Sequence, residues 1–321
     1  MAEAWYTCIQ EDLEKVEGLM MDEIRSGNPE LNEMCEYVLR TQGKRIRPSL
    51  CLLGYLACGG KDLSKPIKVG AAMEIIHNAT LIHDDINDEA ELRRGRKALY
   101  KEYSLSKSIV AGDYLFAIGF QLIGSSSRTI VDSVVDAAAS MGAGEFNQQE
   151  YEHKGQVSEE DYLRIVDGKT AKLIECAAKC GAVLSGAEVE AVDAVGHFAN
   201  KIGVAFQIID DTLDVIGDEQ ITGKPVGNDI LEGKPTLPTI FGMQDPEHGA
   251  RIREIFEKDS PAMDEVCEAI NLIRKTDSIE RCRAVAREIA NEAIFSLSPL
   301  PESEYKQSLK DLANYIVSRD R

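Results

Sequence analysis

The chain has 321 residues, of which 44% are hydrophobic and 28% charged, and its formal net charge at pH 7 is −19. This acidity argues against a nucleic-acid-binding protein, because duplex binding relies on clustered Lys and Arg, and against general adhesion to anionic membranes. An anionic substrate would therefore have to be held by a few local cations or by bound metal.

Apolar residues recur with the helical period along most of the chain. Asn28 before Pro29 marks a helix start, with Pro at the first helical position. Ser158 with Asp161 marks another, as a capping-box-like pair. The segments with an apolar helical face are residues 64–88, 104–124, 126–152, 158–184, 187–216 and 279–297. Long alternating strand patterns and Pro- or Ser-rich linkers are absent, so the sequence predicts one all-α domain of antiparallel helices over residues 1–321.

Residues 217–235 break the helical pattern with four glycines and two prolines. Such a segment cannot be one continuous helix. It is long for a connection in a compact domain, and long connections are often functional. A flexible surface loop is the plainer interpretation, but two Gly-Lys pairs that follow an acidic cluster favour a functional loop.

Two acidic clusters share the pattern Asp-Asp-x-x-Asp and lie on strongly apolar helices. They are Asp84, Asp85 and Asp88, and Asp210, Asp211 and Asp214. Residues four apart on a helix project from the same face, so each cluster brings several carboxylates toward one point. Two carboxylates about 5.5 Å apart repel by about 3 kcal/mol at an effective dielectric of about 20. One such cluster is typical of a solvated helix face, whereas two copies indicate metal sites. Few protein ligands, completed by phosphate oxygens, favour Mg²⁺ over Ca²⁺.

Basic residues cluster near these acids despite the acidic total. The candidates are Lys44, Arg47, Arg93, Arg94, Lys169, Lys224 and Lys234, together with His77, which stands seven residues before Asp84. Arg offers a planar fork for phosphate oxygens, and Lys offers a mobile point charge. Each of them alone is equally typical of a solvated surface charge, and a lone helical His is more often structural. Together with metal sites, they predict a pocket for more than one diphosphate.

These residues stand in motifs that resemble those of the trans-isoprenyl diphosphate synthases, also called polyprenyl synthetases. The motifs GKRIRP, HNATLIHDDINDEAELRRG, DGKTAKL, FQIIDDTLD and GKPVGNDILEGKPTLP follow the order of that family over roughly residues 35–300. The resemblance implies the isoprenoid synthase fold, an antiparallel α-helix bundle around a deep central cavity, and a homodimer. After Arg94 the chain departs from the many members that have GKP followed by Thr or Ser.

The resemblance also implies roles for the candidate residues. Isopentenyl diphosphate would bind Lys44, Arg47, His77 and Arg94, and the allylic diphosphate would bind Arg93, Lys169, Lys224 and Lys234. Three magnesium ions would be held mainly by Asp84, Asp88 and Asp210, with Asp85, Asp211 and Asp214 in support. Thr170 and Gln207 would lie beside the allylic carbon as it becomes cationic. The catalytic residues would then be these two, Lys169, and the aspartates Asp84, Asp88 and Asp210.

The implied reaction joins the two substrates head to tail. Metal ions and basic residues draw electron density from the allylic diphosphate, so that its carbon–oxygen bond ionises. The double bond of isopentenyl diphosphate attacks the carbocation, and a proton then leaves to the departing diphosphate. Water must be excluded, because it would quench the cation.

Product length would depend on side chains below the first acidic cluster. Ala79 lies about 7.5 Å along the helix axis before Asp84. In this family a bulky aromatic residue there acts as a floor, whereas Ala79 and Thr80 are small and the deeper Ile76 and Met73 are not aromatic. HNATLIHDD resembles longer-chain members, so we expect a product in the C25–C40 range, although Phe116 or Phe120 could close the cavity.

Other functions stay open at this point. A farnesyl (C15) or geranylgeranyl (C20) diphosphate synthase is the nearest alternative, and a class I terpene cyclase or an inactive partner subunit is more distant. Cyclases usually replace the second Asp-rich motif, and silent subunits lose aspartates, whereas this chain keeps all six. Eight cysteines without a Cys-x-x-Cys pair, and no apolar run near the first residue, predict reduced thiols in a cytoplasmic protein.

Overall fold

The computed structural model describes residues 5–41, 43–217 and 227–319. Its α-helices are α1 Gln10–Glu23, α2 Pro29–Leu39, α3 Ile46–Ala57, α4 Ser64–Asn87, α5 Leu99–Glu102, α6 Leu105–Ile123, α7 Arg128–Gln149, α8 Glu159–Val166, α9 Lys172–Leu184, α10 Val189–Ile216, α11 Asn228–Leu231, α12 Leu237–Met243, α13 Gly249–Phe256, α14 Met263–Ile273, α15 Ser278–Ser296 and α16 Glu304–Val317. A 3-10 turn at Thr7–Ile9 precedes α1, and strands β1 Leu92–Arg93 and β2 Arg96–Lys97 form one antiparallel hairpin.

The all-α prediction is confirmed, and the predicted helix starts are found. The Asn28 side chain accepts hydrogen bonds from the backbone N–H groups of Glu30 and Leu31, at the start of α2. Ser158 and Asp161 cap α8 reciprocally. These caps satisfy N–H groups that have no partner inside the helix. Among the described residues, no helix is both long and apolar enough to cross a bilayer.

One predicted helix is interrupted. Residues 158–184 were expected to be continuous, but a π-helical turn at Asp167–Ala171 separates α8 from α9. The turn packs against α7, where a Cβ atom on Gly144 would lie 2.6 Å from the backbone nitrogen of Lys169. Only a glycine at position 144 allows this close backbone contact. Apolar periodicity does not predict such a turn, because it reports the buried face and not the hydrogen-bond register.

The chain divides into two compact units. The first comprises Met1–Ala138, Leu173–Gly196 and Leu297–Lys310, and the second comprises Ala139–Lys172, His197–Ser296 and Asp311–Arg321. The first acidic cluster lies in the first unit, and the second lies in the second unit. The single domain over residues 1–321 stays a prediction.

In the first unit, α4 packs against α1, α3 and α6. Most of α4 is buried, and its C-terminal end carries the first acidic cluster. Helices α3 and α9 also cross closely. A Cβ atom on Gly54 of α3 would lie 2.8 Å from the carbonyl oxygen of Ala178, and one on Gly181 of α9 would overlap the carbonyl oxygen of Cys51. These contacts fix the position of α3, whose first turn carries Arg47.

In the second unit, α12 is the central short helix. It packs against α8, α13, α14 and α15. The residues of α12 are all buried. The last turns of α10 carry the second acidic cluster and end at Ile216. Gly217 is not helical, as the sequence predicted for the start of the 217–235 segment.

We expect Gly181→Ala to lower the free energy of unfolding by about 1–3 kcal/mol, because the added methyl group overlaps the backbone of α3. Gly18→Ala is the matched control. Gly18 lies in α1 with no atom within 4 Å of an added Cβ atom, so that variant should be neutral or more stable, as Ala is the better helix former. Denaturant unfolding of both variants measures the difference, and equal stabilities would contradict the close crossing of α3 and α9.

Candidate active site

Both acidic clusters lie at the C-terminal ends of long helices. Asp88 caps α4, and its backbone N–H donates to the carbonyl oxygen of Asp84 at 2.8 Å. Asp214 stands two residues before the end of α10. The C-terminal end of a helix carries partial negative charge, so each carboxylate placed there is less stable by about 0.3–1 kcal/mol. A cation near either cluster would relieve both this effect and the repulsion between carboxylates.

Asp85, the buried member of the first cluster, is already paired. Arg93 of β1 donates from Nε to its Oδ1 at 2.7 Å, and Nη2 of the same guanidinium also contacts that oxygen. The hairpin turn after Arg93 consists of Arg94 and Gly95, with φ angles of 52° and 76°. Positive φ at both central residues is the requirement of a two-residue type I′ turn. The hairpin therefore directs Arg93 onto Asp85 and holds Arg94 in a strained backbone conformation.

Arg47, His77 and Arg94 form a positively charged group beside the first cluster. Loss of solvent and the neighbouring Arg94 charge lower the pKa of Arg47 to about 10, against the opposing effects of Glu74 and Asp84. Loss of solvent, followed by the charges of Arg47 and Arg94, holds the pKa of His77 well below 6.5. His77 is therefore neutral at physiological pH. Guanidinium groups crowded in this way fit a site for an anion.

Arg45 has a different role from Arg47, although only one residue separates them. Its guanidinium donates to Glu17 at 2.8 Å, to Glu74 at 2.9 Å and to the carbonyl oxygen of Leu39 at 2.8 Å. Glu74 is 3% exposed. By contrast, the buried Nε of Arg47 has no hydrogen-bond partner within the described ranges. Arg45 therefore stabilises the fold, whereas Arg47 keeps hydrogen-bonding capacity. The binding roles of Lys44 and Arg47 stay predictions.

The second cluster has three differently placed carboxylates. Asp210 pairs with Nη2 of Arg319 at 2.8 Å. Asp211 is buried and accepts from the Tyr162 hydroxyl at 2.7 Å and from Gln207 Nε2 at 2.7 Å. Burial, then the Asp229 charge, raises the pKa of Asp211 to about 8, while both hydrogen bonds oppose the rise. Burial and the neighbouring Asp229 thus oppose a negative charge on Asp211, and a bound cation would favour its ionised form.

Lys169 and Thr170 lie in the π-helical turn. Lys169 Nζ lies 2.6 Å from Glu145 Oε2 and 3.2 Å from Gln148 Oε1, both on α7. The Thr170 hydroxyl donates to Gln207 Oε1 at 3.0 Å. Single π-helical turns inside α-helices occur frequently at functional sites. The structure thus joins Thr170 and Gln207 to Asp211 inside the second unit, whereas Lys169 contacts α7. The catalytic roles expected of Lys169, Thr170 and Gln207 stay predictions.

The last two basic candidates belong to the 217–235 segment. Lys234 Nζ lies 2.6 Å from Glu232 Oε2. Its backbone N–H donates to the carbonyl oxygen of Asp229 at 2.7 Å. Lys224 lies outside the described residues. The roles of both lysines stay predictions.

The donor chemistry fits a hard divalent cation. All six predicted ligands are carboxylates, the oxygen donors that Mg²⁺ takes. In the part of the chain that the structure describes, no group of three or more His, Cys, Asp or Glu side chains is placed to hold a metal ion by itself. The role of the six aspartates as magnesium ligands stays a prediction.

Sequence reasoning missed several residues that support these groups. They are Glu74, Glu145, Gln148, Tyr162 and Arg319. Glu74 and Gln148 stand on otherwise apolar helix faces, and a buried polar residue in an apolar stripe is a signal that could have found them. Tyr162 and Arg319 carry no such signal, because they are distant in sequence from the aspartates that they contact.

Comparison with known proteins gives concordant matches. The polyprenyl synthetase family profile matches residues 28–273. The octaprenyl diphosphate synthase of Haemophilus influenzae is 34% identical over 314 residues, which cover 96% of this chain and 94% of that protein. A short chain isoprenyl diphosphate synthase of Methanothermobacter thermautotrophicus is 36% identical over 290 residues, 89% of each protein. A crystal structure of a polyprenyl synthase from Caulobacter crescentus, complexed with calcium and isoprenyl diphosphate, is 29% identical, with a TM-score of 0.94 over 99% of this chain and 97% of that chain.

The different roles of Arg45 and Arg47 predict opposite effects of the same substitution. Arg45→Met should lower the free energy of unfolding by about 3–5 kcal/mol, because it leaves Glu74 buried without its partner. Arg47→Met should leave stability unchanged or higher, because it removes a desolvated charge that faces Arg94. Arg47→Met should nevertheless weaken binding of inorganic pyrophosphate with magnesium about tenfold or more, since a hydrogen bond to a charged group contributes about 1.5–3 kcal/mol.

Denaturant unfolding and titration calorimetry on both variants separate these effects. If Arg47→Met were as destabilising as Arg45→Met, or if it bound pyrophosphate as tightly as the unaltered protein, the anion-binding role of Arg47 would be wrong.

Proposed function

Because this chain belongs to the polyprenyl synthetase family, we propose that it is a magnesium-dependent trans-prenyltransferase, which condenses an allylic diphosphate with isopentenyl diphosphate into a long all-trans polyprenyl diphosphate. The observation that carries the proposal is the pair of Asp-Asp-x-x-Asp clusters at helix C-termini, one of them beside the Arg47–His77–Arg94 group. Carboxylates of this kind bind metal, and adjoining guanidinium groups bind phosphate oxygens. The proposal includes three finer assignments: dependence on magnesium, assembly as a homodimer and a location in the cytoplasm.

Bound magnesium would supply Lewis acidity to the allylic diphosphate. Asp84, Asp88 and Asp210 would hold it, supported by the remaining three aspartates. The exposed Lys44, with Arg47, Arg94 and His77, would hold isopentenyl diphosphate. Since His77 is neutral, it would donate one N–H hydrogen bond to an anion and leave the charge balance to the arginines.

Arg93 and Lys169 have hydrogen-bonding capacity left for the allylic diphosphate. A guanidinium has five N–H donors, and Asp85 occupies those at Nε and Nη2 of Arg93. An ammonium has three, and Glu145 and Gln148 lie near Nζ of Lys169. These carboxylates and the amide would fix the direction in which each cation faces its substrate, and thereby reduce the ordering cost of binding.

The proposal is tested with the purified chain, labelled isopentenyl diphosphate, magnesium and primers from C5 to C20. We expect elongated diphosphates that disappear when magnesium is chelated. Hydrocarbon formed without isopentenyl diphosphate would indicate a terpene cyclase. No turnover by the chain alone would indicate a subunit that needs a partner, and either result would contradict the proposal.

Product length is expected in the C25–C40 range. The octaprenyl relative supports a long product, and the short chain relative at similar identity means that individual side chains decide the length. Ala79, Ile76 and Met73 are fully buried in α4, whereas Thr80 is half-buried. Thr80 stands one helical turn before Asp84, on the same face. A growing chain that descends from Asp84 along α4 would therefore meet Thr80 before Ala79.

Phe at position 79 or 80 should shorten the product, because an aromatic ring there would block the growing chain. Thr80→Phe is expected to do so with little loss of stability, and Ala79→Phe with a loss of about 1–3 kcal/mol from overpacking. Ala250→Phe, at an exposed position of α13, is the control. Chromatography of dephosphorylated products measures the length, and a distribution unchanged in both Phe variants would remove the argument for a floor in α4.

A further inference from the structure

Four side chains of the second unit form one continuous chain of hydrogen bonds, hereafter the Tyr162 chain. Tyr162 donates to Asp211 Oδ2 at 2.7 Å. Gln207 Nε2 donates to Asp211 Oδ1 at 2.7 Å, and Thr170 Oγ1 donates to Gln207 Oε1 at 3.0 Å. The Tyr162 chain thus links a residue of α8 to the π-helical turn through two residues of α10.

The Tyr162 chain has a fixed direction. Asp211 Oδ1 accepts from the NH₂ side of the Gln207 amide, because only that side can donate. The carbonyl oxygen of Gln207 then faces Thr170, whose hydroxyl proton must point toward Gln207. The lone pairs of Thr170 Oγ1 therefore point away from Gln207, where they can meet positive charge.

Tyr162 occupies the closed end of this chain. It is 2% exposed, and Asp211 is 6% exposed, so water does not readily replace the hydroxyl. Without the hydroxyl, the buried Asp211 Oδ2 would lose a hydrogen-bond donor. Asp211 could then turn, or exchange its partner, and the Gln207 amide would no longer have one preferred orientation.

We propose that Tyr162 is a positioning residue, which fixes Asp211 and Gln207 so that Thr170 presents oxygen lone pairs to the allylic carbon as it becomes cationic. The inference rests on the proposed function, which places Thr170 and Gln207 beside that carbon. Tyr162 does not touch the substrate. If the Gln207 amide were free to reverse, the Thr170 hydroxyl proton would also be free to turn toward the cation, and its dipole would then destabilise the charge.

The first test uses the metal-free protein with nitrogen-15 glutamine labelling. The side-chain amide resonance of Gln207 is assigned by its absence in Gln207→Leu. Tyr162→Phe removes only the hydroxyl that donates to Asp211. The Gln207 amide should then be less ordered, so its resonance should shift and its hydrogen exchange should be faster. Tyr151→Phe is the matched control, since Tyr151 donates to Asp161 at 3.0 Å in the same unit and is not a member of the Tyr162 chain. An unaltered Gln207 resonance in Tyr162→Phe would overturn the proposal.

The second test is kinetic, at a magnesium concentration that saturates the unaltered protein and then at a large excess of magnesium. Tyr162→Phe should lower kcat about tenfold or more, as loss of a hydrogen bond to a charged group predicts, with KM values within about twofold. In a Thr170→Val background, which lacks the oriented hydroxyl, the same substitution should lower kcat less than about twofold further. Tyr151→Phe should leave kcat unchanged.

Three results would contradict the role of Tyr162. They are an equal loss in both backgrounds, a recovery of kcat with excess magnesium, and an equal loss in Tyr151→Phe. An equal loss in both backgrounds would mean that Tyr162 acts independently of Thr170. A recovery with magnesium would mean that Tyr162 only supports a metal ligand. An equal loss in Tyr151→Phe would mean that packing is lost in general. If the unaltered protein makes no polyprenyl product, the proposed function fails, and the Gln207 resonance still decides whether Tyr162 orders the chain.

Discussion

The placement of carboxylates at the negative ends of two long helices is the constraint on which the candidate site depends. Helix α4 ends at Asn87 with Asp88 as its cap, and α10 ends at Ile216 just after Asp214. Neither arrangement favours folding by itself, since like charges repel and the helix ends add to the repulsion. Arg93 and Arg319 supply positive charge to these carboxylates, and Tyr162 donates a hydrogen bond to one of them. The arrangement is therefore better suited to binding a cation than to stabilising the fold.

The two clusters are balanced in different ways. In the first, a guanidinium neutralises Asp85, and the cationic group of Arg47 and Arg94 stands nearby with a neutral imidazole. In the second, Asp211 accepts from neutral donors, and Arg319 pairs with Asp210. The first cluster thus combines acid and base and fits metal together with a phosphate group. The second holds its buried carboxyl group with neutral donors, and a bound cation would favour the ionised form of Asp211.

Much of the fold and most of the candidate residues could be predicted from the sequence. Periodicity and capping signals located α4, α6, α10 and α15, and the motifs identified the family, which the family match confirms. Residue spacing could not separate Arg45 from Arg47, because their difference lies in contacts with Glu17 and Glu74 that are distant in sequence. The π-helical turn was missed for a similar reason, since it depends on backbone contact with Gly144. The assigned ligand roles stay predictions.

The left-handed conformation of Arg94 has a consequence for evolution and engineering. A non-glycine residue at a φ of 52° pays a conformational penalty that glycine or asparagine would largely avoid. Selection for heat resistance alone would therefore favour replacing Arg94, and would remove a guanidinium from the cationic group in the same step. Given the proposed role of Arg94 in binding isopentenyl diphosphate, stability and substrate affinity oppose one another at this position, so a variant library ranked by melting temperature would select hairpins with weaker diphosphate binding.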